Sequence, residues 1–160
     1  MLIPFSRRRF LAAGTSALAV AACAPGVRSS TELAVYKTPP CACCTAWVDH
    51  MRTAGFEARV NELPSLRSIR GAQGVPEALA SCHTALIGGY VLEGHVPAED
   101  VHRLLAERPE AVGLAAPGMP LGSPGMETPD GQREPYETLL ILKGGSTRVF
   151  ARHGQARRGA

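Results

Sequence analysis

Two periods of apolar residues alternate along the chain, and the switches between them mark out its elements. "LAVYKT", residues 33 to 38, alternates apolar and polar side chains and predicts a short strand, which Pro39-Pro40 ends. From Cys43 onward, in "CCTAWVDHMRTAG", Ala46, Trp47, His50, Met51 and Ala54 recur three and four residues apart. That spacing gathers them on one side of a helix, and Gly55 closes it. "FEARVNEL" returns to alternation and predicts a second strand. "SLRSIRGAQGVPEALA" fits one or two short helices broken at Gly74-Val75-Pro76. "TALIGGYVLEG" sets two apolar runs around Gly88-Gly89, the signature of a hairpin. "PAEDVHRLLAERP" predicts a helix with Pro97 early, acids in the first turn where the helix dipole favours them, and Arg108 near its end.

Past Pro109 the texture changes. "GLAAPGMPLGSPGMETPDGQREPYE" is rich in Gly and Pro without helical period, and predicts a long ordered loop or wrapping segment. "TLLILKGGSTRVFARH" then predicts a terminal hairpin turned at Gly144-Gly145. The expected plan is one α/β domain over residues 33 to 152, with a flexible tether before it (23 to 32) and a disordered tail after it (153 to 160). The order β-α-β-α-β-β-α resembles a thioredoxin- or glutaredoxin-like domain. In that fold a cysteine pair follows the first strand at the head of the first helix, as Cys41 and Cys44 do here. A cis-proline ordinarily precedes the third strand, and His83 stands in its place. The likeness therefore implies that Cys82 and His83 face the thiols of the first helix.

Charge alters the picture mainly at the N-terminus. The chain carries 17 Lys and Arg against 14 Asp and Glu. Residues 1 to 22 hold Arg7, Arg8 and Arg9 and no acid, so the remainder is balanced at 14 against 14. A neutral domain has no electrostatic footprint for nucleic acid or an anionic membrane. "SRRRFLAAGTSALAVAACAPG" has the arginines, short apolar run and small residues of an export signal. Its apolar run falls short of the roughly 20 residues of a spanning helix. Ser6-Arg7-Arg8-Arg9-Phe10-Leu11 resembles a twin-arginine signal, and Val20-Ala21-Ala22-Cys23 a lipoprotein cleavage box with Cys23 as the lipidated residue. The expected location is the periplasm, with lipid at Cys23 as the one route to a membrane.

Four cysteines remain for chemistry: Cys41, Cys43, Cys44 and Cys82. At a helix N-terminus the first three should be acidified, and thiolate is both the attacking and the metal-ligating form. Cys41 and Cys44 make a C-x-x-C pair suited to disulfide exchange, but a simple exchanger has no use for Cys43 or Cys82. A metal site uses all four. Soft thiolates favour Cu(I), with zinc a lesser competitor, and the vicinal Cys43-Cys44 pair suits adjacent ions bridged by sulfur better than one shared ion. Structural disulfides are the third option. His83 beside Cys82 is the best candidate nitrogen ligand, and His95 is either a further ligand or support, or a solvated loop residue. Met119 and Met126 are candidate thioether ligands or ordinary packing. His50, His102 and His153 fit helix and strand surfaces.

Together "VYKTPPCACCTAWVDHMRTAGFEA", "GVPEALASCHTALIGGYVLEGHVPAEDVHRLLAERP" and "GLAAPGMPLGSPGME" resemble the CopG-like family of bacterial periplasmic proteins. The motifs C-x-C-C, S-C-H, E-G-H-V-P and P-G-M-P-x-G-S-P-G-M-E carry the likeness over residues 33 to about 152. The resemblance implies a thioredoxin-like fold, copper bound by Cys41, Cys43, Cys44 and Cys82, and a role in copper resistance or homeostasis beside other periplasmic copper-handling proteins. Ala42 replaces the glycine usual between the first two cysteines.

Overall fold

The computed structural model describes residues 31–154; the leader, the lipidation candidate Cys23 and most of the tether and tail lie outside them. The chain runs β1 (Glu32–Lys37), α1 (Ala42–Thr53), β2 (Glu57–Glu62), α2 (Arg67–Ala72), a 3₁₀ turn (Glu77–Leu79), β3 (His83–Ile87), β4 (Tyr90–Gly94), α3 (Ala98–Glu107), β5 (Gly113–Ala116), β6 (Tyr136–Ile141) and β7 (Thr147–His153). The seven strands form one sheet in the order β2-β1-β3-β4-β5-β6-β7. β1 runs parallel to β2 and antiparallel to β3, and β3 and β4 form the expected hairpin with Leu86 opposite Val91. β6 and β7 form the second, turned at Gly144-Gly145.

β5 departs from expectation, because it lies in the stretch read as loop. It pairs parallel with β4 and antiparallel with β6, and so fuses the two hairpins into a continuous sheet. At Gly113 a side chain would strike the Val91 carbonyl oxygen, only 1.8 Å from an added Cβ, so the close approach of β5 to β4 requires glycine there. The following Leu114, Ala115 and Ala116 are fully buried.

Alternation along the central strands feeds two apolar layers. Leu33, Val35, Ala85, Leu92, Leu114 and Leu140 pack with Trp47, Val48 and Met51 of α1 and Val101 and Leu104 of α3. The neighbours of opposite parity, Val91, Ala115 and Ile141, pack on the other face with Val75. Within α1 the buried positions are Cys44, Trp47, Val48 and Met51, a three-and-four spacing that turns one face to the sheet. α3 has Glu99 and Asp100 in its first turn and ends with Arg108 in the left-handed region (φ 49°). No helix among the described residues is long and apolar enough to cross a membrane.

Candidate metal centre

Cys41 is the N-cap of α1, and its Sγ accepts a hydrogen bond from the Cys44 N–H at 3.3 Å. One turn of helix thus presents Cys41, Cys43 and Cys44 at its head. The loop before β3 brings Cys82 to meet them: its Sγ lies 3.9 Å from that of Cys43, which in turn lies 3.5 Å from that of Cys41. Cys44, fully buried, has its Sγ 3.5 Å from the Cys82 carbonyl oxygen. All four sulfurs fall within 4.8 Å of one another. The expected convergence of residue 82 on the helix thiols is what the structure shows. In this form Cys41 and Cys44 are joined as a disulfide, while Cys43 and Cys82 are free thiols.

A second set of donors shares Cys82. His83 Nδ1 lies 3.4 Å from its Sγ and His95 Nε2 3.0 Å. Both rings are fully buried, so His95 is not a solvated loop residue. The Nδ1–H of His95 donates to the Pro124 carbonyl at 2.7 Å, which leaves the Nε2 lone pair aimed at Cys82. Such a backbone bond on the far nitrogen is the usual means of fixing the orientation of a ligating imidazole. His83 lies against Trp47 (ring centroids 4.3 Å apart) and edge-on to His95 (5.1 Å), and its buried Nε2 has no hydrogen-bond partner. Burial, reinforced by the neighbouring His95, pushes the His83 pKa down to about 3, with the Gly94 backbone partly offsetting it. Burial likewise lowers that of His95. Both rings are neutral at physiological pH, the form that binds metal. The Cys82 thiol is pushed up to about 12, chiefly by burial and then by Cys43, so it is protonated until a cation displaces the proton.

The loop carrying Cys82 is held from beneath by residues the sequence did not single out. Glu93 is fully buried on β4; its Oε1 accepts from the Ser81 N–H (2.7 Å) and from Arg70 Nε (2.8 Å), and its Oε2 accepts from Thr84 Oγ1 (2.6 Å). Arg70 also donates to the Ser81 carbonyl, so the N–H and the C=O of the residue before Cys82 are both clasped. Burial raises the Glu93 pKa against the opposing pull of Thr84, Ser81 and Arg70. An acid inside the apolar run "YVLEG" was the available signal; nothing local marks Arg70 as its partner.

The segment after β5 crosses over the centre as a strap. Pro124 contacts His95, and Gly125 packs directly on the α1 backbone. Met119 is 55% exposed, so it is not packed beneath the strap. It lines an opening with Cys82. Met126 is half-buried and hydrogen-bonds through its backbone to Gly122 and Ser123. His50, His102 and His153 stand apart, bonded to Ala98, Ala54 and Asp100 respectively.

Two solved chains share this arrangement of elements. "Copper resistance protein copG- Form 1" is 36% identical with a TM-score of 0.73, over 78% of this chain and 98% of its own. The chain belongs to the CopG-like family. "Copper resistance protein copG- Form 2" is 37% identical with a TM-score of 0.72, over 76% of this chain and 97% of its own. The family described as protein of unknown function, DUF411, matches residues 79–126. That span holds three of this CopG-like chain's centre residues, Cys82, His83 and His95, and the strap above them. No curated protein matches the sequence.

Proposed function

We propose that this chain is a periplasmic copper-resistance or copper-homeostasis protein that binds Cu(I), as one ion or several, through Cys41, Cys43, Cys44 and Cys82 with His83 and His95 beside them. The observation that carries the reading is the convergence of four sulfurs within 4.8 Å, with two neutral imidazoles facing one of them. Once the Cys41–Cys44 bond is reduced, four thiols in so small a volume can exchange their protons for soft cations held between them, and soft sulfur prefers Cu(I) over harder ions. The unpartnered, buried Nε2 of His83 and the neutral rings suit a metal centre better than an acid–base one. The proteins to which the chain is similar are named for copper resistance. A thioredoxin-like core fits the order β2-β1-β3-β4 and the placement of the cysteines at the head of α1. The leader and Cys23 make the periplasm, with an optional lipid anchor, the compartment proposed.

Anaerobic Cu(I) titration of the reduced mature domain tests the assignment. Wild type should take up copper stoichiometrically, and Cys82→Ser should lose capacity while its thermal unfolding is little changed. Full capacity in the variant would remove Cys82 from the centre and with it the proposed geometry.

A second reading rests on the Cys41–Cys44 bond itself. A pair that closes beside two free thiols can serve a thiol–disulfide or copper-linked oxidoreductase. Opening the bond takes two electrons and two protons, supplied by a dithiol or, for the electrons, by two Cu(I) ions oxidised to Cu(II). This reading requires turnover that Cys44→Ser abolishes.

A further inference from the structure

With the Cys41–Cys44 bond closed, two thiols of the centre are left over, Cys43 and Cys82. Their sulfurs face each other 3.9 Å apart, although 39 positions separate the two residues in the chain. Both are half-buried, whereas Cys44 is fully buried, so these are the thiols that a small reagent can reach. Cys82 also borders an opening of about 310 Å³ beside its own loop. Each is carried on a separately anchored element. Trp47, Val48 and Met51 seat α1 on the sheet, and the Arg70–Glu93 clasp holds Ser81 next to Cys82. A disulfide brings its sulfurs to ~2 Å, and the gap left to close is of the size that side-chain rotation about Cα–Cβ covers. The other sulfur close to Cys43, that of Cys41 at 3.5 Å, is already bonded.

We propose that Cys43 and Cys82 are a second redox pair, which closes as a disulfide beside the Cys41–Cys44 bond and gives the centre three oxidation levels: four thiols, two and none. The proposal rests on the convergence of the sulfurs and not on copper, and it extends the oxidoreductase reading by two electrons. The oxidant is a second disulfide, supplied by a small molecule or a protein. In the first exchange Cys43 Sγ attacks one sulfur of the donor. The donor S–S bond breaks, a mixed disulfide forms at Cys43, and the first donor thiol leaves with the Cys43 proton. In the second, Cys82 Sγ attacks Cys43 Sγ, the mixed bond breaks, and the departing donor thiolate takes the Cys82 proton. The donor thus gains the two electrons and two protons that the pair loses. The oxidising compartment proposed above favours such pairing of free thiols. The two bonds act differently on the chain. Cys41–Cys44 closes over a separation of only 3 residues at the head of α1, whereas Cys43–Cys82 staples that helix to the loop before β3. It also removes the last thiols, so the fully closed form has no thiolate to offer a cation.

Thiol mapping on the full chain carrying Cys23→Ser, which leaves only the four cysteines of the centre, tests the pairing. Metal-free protein is held in excess oxidised glutathione, denatured, alkylated with N-ethylmaleimide and digested without reduction for mass spectrometry. No cysteine should be alkylated, and the peptide holding Cys82 should be joined to the peptide from the head of α1 within a monomer. Adding Cys43→Ser should abolish that link and leave Cys41–Cys44 in place. Two alkylated thiols, glutathione retained on both residues, or a covalent dimer each overturn the proposal. A link that survives Cys43→Ser also overturns it, because Cys82 would then pair with Cys41 or Cys44. The assay contains no metal, so its failure leaves the copper reading standing, and that reading falls only on the Cu(I) titration above.

Discussion

Gly125 sits at φ +83° where the strap crosses α1, and a Cβ there would come within 2.6 Å of the Cys43 carbonyl oxygen and 2.7 Å of the Trp47 nitrogen. Both atoms belong to helix backbone and cannot swing aside. Gly125→Ala should therefore destabilise the copper-free protein by about 1–3 kcal/mol, the usual cost of a strained backbone position. It should also loosen the neighbouring Pro124 carbonyl from His95. Urea denaturation checks the first effect; unchanged stability would mean that the strap does not press on the helix. The same contact explains what sequence reading could and could not see at single residues. The three thiols at the head of α1 announced themselves by their density, and Cys82 by the histidine that follows it. His95 did not, because its burial comes from a strap nearly thirty residues away, and the exposure of Met119 is equally invisible to local pattern.

At the scale of elements, α2 has no buried residue of its own, yet it supplies Arg70 to the buried Glu93 of β4. An ion pair of this kind stabilises little in itself but is expensive to break on one side. Arg70→Met should cost up to about 3–5 kcal/mol by leaving the carboxylate without its counter-charge. Adding Glu93→Gln should recover much of that, since the neutral amide still accepts the Ser81 N–H. A double-mutant cycle on unfolding free energy measures the coupling, and additive effects would show that the two side chains act independently. The helices and both hairpins were legible because each carries its own period or its own glycine turn. β5 was not. A run of four residues starting with glycine has no signature, and the strand pairs between β4 and β6 at an approach so close that Gly113 admits no side chain.

Across the whole molecule, the order of strands does what no single motif can: it seats the loop before β3 against the head of α1 and so joins residues 41–44 to residue 82. That much followed from the order of elements, whereas the sheet's extension to seven strands, and the strap lying over the centre, depended on a stretch without period. The joint between layers is Trp47, the chain's single tryptophan. Its ring centroid is 4.3 Å from that of His83, whose Nδ1 is 3.4 Å from Cys82, and its Nε1–H donates to the Val96 carbonyl at 2.9 Å. A cation bound at Cys82 and His83 would therefore change the electronic surroundings of the indole without needing any movement of the fold. Trp47 emission should fall linearly as Cu(I) is added to reduced protein and level off at the equivalence point found by copper analysis. In Cys82→Ser the early part of that response should flatten. Emission that stays constant through full loading would place the copper away from His83, on the helix thiols alone, because no other tryptophan exists to obscure the reading.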